Sequence, residues 1–138
     1  MQLSKYSLLD VECFHDERGC LTVLEENSKS VPFEIKRNYI LSNVVQGASR
    51  GNHGHIKLQQ VIVCLQGSVE VELYDGFSNS VFKLDTPSKG LFVGPMMWRK
   101  LSNFALNTVV LVLASEPYSK EDYIFDKDKF TDLARSSV

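Results

Sequence analysis

Hydrophobic and polar positions in this chain alternate in short stretches separated by glycines. In SVEVELY (68–74), Val69, Val71 and Leu73 fall on one side of an extended strand, and Ser68, Glu70 and Glu72 on the other. LQQVIVCLQ (58–66) is the most hydrophobic stretch of the chain, and Gly67 joins the two as a hairpin signal. Similar runs, rich in β-branched and aromatic residues, predict strands near 20–25, 34–42, 80–85, 91–93 and 107–114. Asp75-Gly76 and Thr86-Pro87-Ser88-Lys89-Gly90 are further turn signals. Strands this short and closely spaced describe an all-β sandwich or barrel. The tail reads differently. Ser119-Lys120-Glu121-Asp122 resembles a helix start with Ser119 as its N-cap, and 126–135 reads as a short closing helix with Phe130 and Leu133 on its apolar side.

Composition narrows the possibilities without changing that picture. The 138 residues are one domain's length, with 43% hydrophobic and 23% charged residues and no repeat or linker. A net charge of −2 gives no bulk attraction to nucleic acid or an anionic membrane, so anion binding must come from a local basic pocket. The longest apolar runs, such as 108–114, fall far short of the ~20 residues of a membrane span. The first residues, MQLSKYSLLDVECF, lack a signal-peptide pattern, and the expected location is the cytoplasm. Three cysteines, with no CxxC and no Cys–His spacing, argue against a disulfide framework or a zinc ribbon. Cys64, in VIVCLQ, reads as a buried small hydrophobe, and Cys13 and Cys20 have no adjacent base. No GxSxG, P-loop or GxGxxG is present.

The densest polar cluster is Arg50-Gly51-Asn52-His53-Gly54-His55-Ile56-Lys57. In an extended segment His53 and His55 project from one face, and Gly51 and Gly54 leave room for a ligand against the backbone. Taken alone, HxH also suits a surface turn with two solvated imidazoles. Here it leads directly into the most hydrophobic strand, so the pair is expected to open into a barrel interior. Two imidazoles there can ligate a metal or move protons. A metal needs further ligands, but the following positions hold Gln59 and Gln60, and the later ones Trp98-Arg99-Lys100. Acid–base work without metal or cofactor is therefore expected. Arg18, Arg37, Arg50 and Arg99, with Lys57, lie at or near strand ends and suit a diphosphate. Tyr39 shares a strand face with Arg37. Trp98 suits either stacking on a base or sugar, or the core.

RGNHGHIKLQQVIVCLQGSVEVELYDG, LDTPSKGLFVGPMMW, VVLVLAS, EDYIFDKDKF and DERGCLTVLEENSKSVPFEIKRNYI resemble the dTDP-4-keto-6-deoxyglucose 3,4-ketoisomerases of the cupin superfamily, from about residue 8 to 132. The RGxHxH pattern before a hydrophobic strand, with the later PxxW and EDYI, is far more specific than HxH alone. The resemblance implies an all-β cupin or jelly-roll β-barrel with a short C-terminal helix, forming one cupin domain over 1–138. It implies no catalytic metal and a homodimer with strands exchanged or packed across the interface. The substrate would be dTDP-4-keto-6-deoxy-D-glucose, and the product its 3-keto isomer, destined for 3-amino-3,6-dideoxyhexoses of O-antigens and similar glycans. By the resemblance, His53, His55 and Tyr39 are the catalytic residues, and Arg18, Arg37, Arg50 and Trp98 belong to the substrate site; Lys57 and Arg99 are expected to hold the substrate through their basic side chains near strand ends. Gln59 stands where the family often has glutamate. Arg99 stands where many members have histidine, which leaves the carbon 4 configuration of the product open between galacto and gluco. Rival readings are a nucleotide-sugar 3,5-epimerase, a metal-dependent cupin and a non-enzymatic sugar-binding cupin.

Overall fold

The computed structural model describes residues 5–138. Twelve strands, one 3-10 turn and one α-helix follow in chain order. The strands are β1 (Tyr6–Asp10), β2 (Glu12–Asp16), β3 (Gly19–Val23), β4 (Arg37–Leu41), β5 (Arg50–His55) and β6 (Gln60–Gln66). They continue with β7 (Val69–Tyr74), β8 (Asn79–Leu84), β9 (Lys89–Val93), β10 (Trp98–Ser102), β11 (Val109–Ala114) and β12 (Tyr123–Ile124). The helix α1 (Lys127–Ser136) closes the chain. Two five-stranded sheets, ordered β1-β9-β6-β11-β4 and β12-β5-β10-β7-β8, pack face to face, and β2-β3 form a separate ribbon. This is the all-β barrel with a C-terminal helix that the periodicity and the resemblance imply.

The hydrophobic run of β6 has a structural reason. Ile62 and Cys64 face the inter-sheet core with Val69, Val71, Leu73, Leu91 and Val112. Val61 and Val63 face outward but are covered by Val31 and Phe33 of the loop between β3 and β4. Both faces are therefore dry, and no alternation is needed. At β7, whose odd positions alone are fully buried, the alternation is clean. The Gly67 turn is tight: it adopts φ +82°, and a Cβ there would meet Thr108 Oγ1 at 2.3 Å.

Five strands lie outside the predicted set: β1, β2, β5, β10 and β12. Their sequences are polar or mixed, because β2 pairs only with β3 and because β5 and β10 carry the polar end of the barrel interior. The helix start is also corrected. Lys120–Asp122 is only a 3-10 turn, and Ser119 makes no side-chain cap to it. The true N-cap is Asp126, whose carboxylate accepts from the backbone N–H groups of Asp128 and Lys129. On α1 the buried residues are Phe130 and Ala134, whereas Leu133 is 40% exposed. With Trp98 and Ile124 they cover the outer face of the second sheet.

Candidate active site

At one end of the barrel the inward-facing side chains become polar. Arg37 and Tyr39 open β4, Gln60 opens β6, Arg99 comes from β10 and His53 from β5, around a cavity of about 320 Å³. Arg50, Gly51 and Tyr123 also line it. An uninterrupted strand would put residues 50 and 53 on opposite faces. The β5–β10 register shifts by one residue between Arg99 and Lys100, where Asn52 adopts φ 57° and Gly51 φ 86°. This bulge brings Arg50 and His53 to the same side. Both site glycines are also required by the packing around them. A Cβ on Gly51 would lie 3.1 Å from the Arg99 carbonyl oxygen, and one on Gly54 only 2.7 Å from the Phe130 ring.

His53 and His55 do share a face, their rings meeting edge-on with centroids 4.7 Å apart. Tyr123 packs against both, at 4.9 and 4.4 Å. The Nδ1 of His53 is 3.0 Å from the Gly51 carbonyl oxygen, and the Nδ1 of His55 is 3.1 Å from Asp122 Oδ2. Both partners only accept, so each neutral ring carries its proton on Nδ1 and a lone pair on Nε2. Both Nε2 atoms are buried and unpartnered. Burial, reinforced by the Arg99 guanidinium, lowers the pKa of His53 to about 4. The same two causes, in the same order, hold His55 lower still, at about 2. Two unprotonated bases are thus available at neutral pH.

Arg99 is fully buried; burial lowers its pKa to about 10, so it remains a cation. It donates through Nη1 to Gln60 Oε1 and through Nη2 to the Met97 carbonyl at 2.9 Å, while its Nε has no partner. Gln60 Nε2 donates to the Tyr39 hydroxyl at 3.1 Å, leaving that hydroxyl's proton free for another acceptor. Burial raises the Tyr39 pKa, so the phenol stays protonated. Arg37 lies 4.9 Å over the Tyr39 ring and 5.4 Å over Tyr118.

Three expected binding residues lie elsewhere. Trp98 points away from the cavity and packs on Phe130 at 5.8 Å, because its neighbour Arg99 occupies the inward position. Lys57 is exposed just after β5 and contributes its backbone N–H to Asp122 Oδ1. Arg18, at the tip of the β2–β3 ribbon, has an 84% exposed side chain paired with Asp16. Three others were not singled out by sequence: Asp122, Gln60 and Tyr123. Asp122 holds both His55 and the backbone of residues 57 and 58, 67 residues along the chain from His55. Its only sequence signal was membership of the EDYI segment. Around the cavity, Gln60 and Arg99 stand where further metal ligands would be needed, so the donor set does not fit a metal ion.

Comparison with known proteins agrees with this geometry. The family model "FdtA: WxcM-like, C-terminal" matches residues 4–135. A TDP-4-oxo-6-deoxy-alpha-D-glucose-3,4-oxoisomerase from Aneurinibacillus thermoaerophilus is 45% identical over 115 residues, covering 83% of this chain and 82% of the relative. A variant of the 3,4-ketoisomerase QdtA from Thermoanaerobacterium thermosaccharolyticum, solved with TDP-4-keto-6-deoxyglucose, superposes with a TM-score of 0.93 at 38% identity, covering 98% of this chain and 97% of that one. A 3,4-ketoisomerase from Helicobacter canadensis gives 0.90 at 38% identity, covering 94% and 97%.

Proposed function

The chain belongs to the WxcM-like, C-terminal (FdtA) family, and from that premise we propose that it is a dTDP-4-keto-6-deoxy-D-glucose 3,4-ketoisomerase. The observation that carries the mechanism is the pair of buried, unpartnered Nε2 atoms beside a buried guanidinium. The carbon 4 ketone acidifies the hydrogen on carbon 3. His53, which lines the cavity, takes that proton on Nε2 and leaves an enediolate over carbons 3 and 4. A proton is then delivered to carbon 4 while the carbon 3 hydroxyl loses its own, so the carbonyl moves and no electrons leave the substrate. His55, oriented by Asp122, relays these protons. The Tyr39 hydroxyl and the Arg99 cation stabilise the enediolate oxygens, donors of a kind worth a few kcal/mol each. Arg37 and Arg50 take the diphosphate, and that binding energy holds the sugar against the bases.

We further infer one cupin domain over 1–138 and a homodimer. Supporting the dimer, Phe14 and Leu21 face each other across the β2–β3 ribbon and are 55% and 63% exposed. A two-stranded ribbon is only marginally stable without a face to pack on. Three free cysteines fit the reducing cytoplasm. The 3-keto product suits an aminotransferase, leading to a 3-amino-3,6-dideoxyhexose of O-antigen type. Among the described residues no helix is long and apolar enough to cross a membrane. The test is proton NMR of chelator-treated protein with dTDP-4-keto-6-deoxyglucose in deuterated buffer. The expected result is a carbonyl shifted to carbon 3 with deuterium at carbon 4, and the coupling constants then separate galacto from gluco. Deuterium at carbon 5 with the ketone unmoved would overturn the reading in favour of an epimerase.

A further inference from the structure

The β2–β3 ribbon presents two unlike faces. In its register Phe14 opposes Leu21 on one face, while Cys13 opposes Thr22 and His15 opposes Cys20 on the other. The pairing therefore gathers two thiols and an imidazole that no CxxC or Cys–His spacing along the chain announces. One ligand atom from each of Cys13, His15 and Cys20 lies within 4.8 Å of the other two. Among the described residues this is the only such grouping of three.

We propose that Cys13, His15 and Cys20 form a zinc site that clamps the two strands of this ribbon. The chemistry suits the ion, because two soft thiolates and an imidazole select zinc-class metals over magnesium or calcium. The spacing suits it too. Zn–S bonds of about 2.3 Å and a Zn–N bond of about 2.0–2.1 Å at a tetrahedral angle require an S···N edge of about 3.6 Å. Cys20 Sγ and His15 Nε2 are 3.6 Å apart. Cys13 Sγ closes the triangle within 4.8 Å, so a small side-chain rotation completes three corners of the tetrahedron. The fourth corner is left to water. Thr22 Oγ1, 3.4 Å from Cys13 Sγ and 3.9 Å from Cys20 Sγ, supplies a hydroxyl donor to the thiolates from the neighbouring position. His15 and Cys20 are exposed, so the ion has an open path. Binding displaces one proton from each thiol to solvent, and Zn²⁺ with two thiolates and a neutral imidazole leaves no net charge. The apolar face carrying Phe14 and Leu21 stays free, so the clamp stiffens the ribbon without occupying the surface assigned to a second subunit. The site is independent of the barrel cavity.

The test is titration of the reduced full-length protein with Co²⁺, followed by displacement with Zn²⁺ against a chromophoric chelator. One equivalent of Co²⁺ should bind with a sulfur-to-cobalt charge-transfer band and the intense visible bands of a tetrahedral site, and one equivalent of Zn²⁺ should bleach them. C13S and C20S should each weaken Zn²⁺ binding by about 100-fold or more, beyond the usual cost of losing an outer partner. H15N should weaken it as well, and C64S should leave it unchanged. Circular dichroism and ketoisomerase turnover of the same variants show that they are folded. Pale octahedral Co²⁺ spectra, unchanged affinity in C13S and C20S, or loss of binding in H53N but not in H15N would each overturn the proposal.

Discussion

The two histidines occupy a site that burial keeps uncharged, and this sets the pH behaviour of the enzyme. The His53 pKa is lowered to about 4, so the base form persists through the neutral range. Turnover per folded molecule should therefore stay flat from pH 8 to below 6 and fall only as the pH approaches about 4. Stability follows a different course. An unfolded histidine titrates near 6.5, so between that pH and the folded pKa the unfolded chain binds more protons. The stability contributed by neutral burial is complete above about pH 6.5 and is lost as the pH falls through this window. Thermal melts at pH 7 and pH 5 check this, and equal midpoints would contradict it. H53N should lower kcat by about 10² to 10⁴-fold with little change in KM, as expected for loss of a general base. D122N should fall between wild type and H55N in kcat, because the amide still contacts His55 without fixing its tautomer as a carboxylate does. Replacing Gln60 with leucine takes an acceptor from buried Arg99. Q60L should cost about 2–3 kcal/mol in urea unfolding and weaken turnover together with it.

At the scale of elements, the helix α1 and the histidine-bearing strand β5 are a single packed unit. Gly54 lies between His53 and His55, and its missing side chain is the space that Phe130 fills. G54A should cost about 1–3 kcal/mol by overpacking and should disturb both histidines. F130A should cost about 3–5 kcal/mol through the cavity it leaves. The double variant should recover most of the G54A increment, because the two changes share one contact. Additive losses in urea unfolding would show that Gly54 is required for another reason. The same contact explains part of what the sequence made legible. Phe130 stood out as an apolar residue on a short helix, but which strand it covers depends on the tertiary fold. Trp98 shows the limit more sharply. Alternation says that Trp98 and Arg99 face opposite ways, yet chemistry alone favours the tryptophan inside, and the barrel takes the arginine because Gln60 and the Met97 carbonyl accept hydrogen bonds from its guanidinium there.

At the scale of the molecule, the polar end of the barrel is built from β4 and β6 of one sheet and β5, β10 and β12 of the other, and the ribbon stands apart from both sheets. Replacing Phe14 and Leu21 together with serine should convert the proposed dimer to a monomer in light scattering, with the barrel itself still folded. A dimer that survives would place the interface on another face. Catalysis should also survive removal of metal by a chelator, because the cavity's donor set is completed by an amide and a guanidinium rather than by acidic ligands.

The sequence by itself determined whatever depends on local order. Strand alternation follows from a period of two, glycine turns from positive φ, and the shared face of His53 and His55 from a separation of two residues. These features, with the length of the RGxHxH pattern and its hydrophobic strand, made the fold and the juxtaposed histidine pair legible. Tertiary structure alone decided the pairings that chain order does not contain. Asp122 reaches His55 across 67 positions, Gln60 and Arg99 meet from different sheets, and the β2–β3 register gathers Cys13, His15 and Cys20 on one face. The physical reason is the same in each case. Which face a side chain takes is local, but which side chain it meets there is set by strand order and register, and these are fixed by burying the whole core at once.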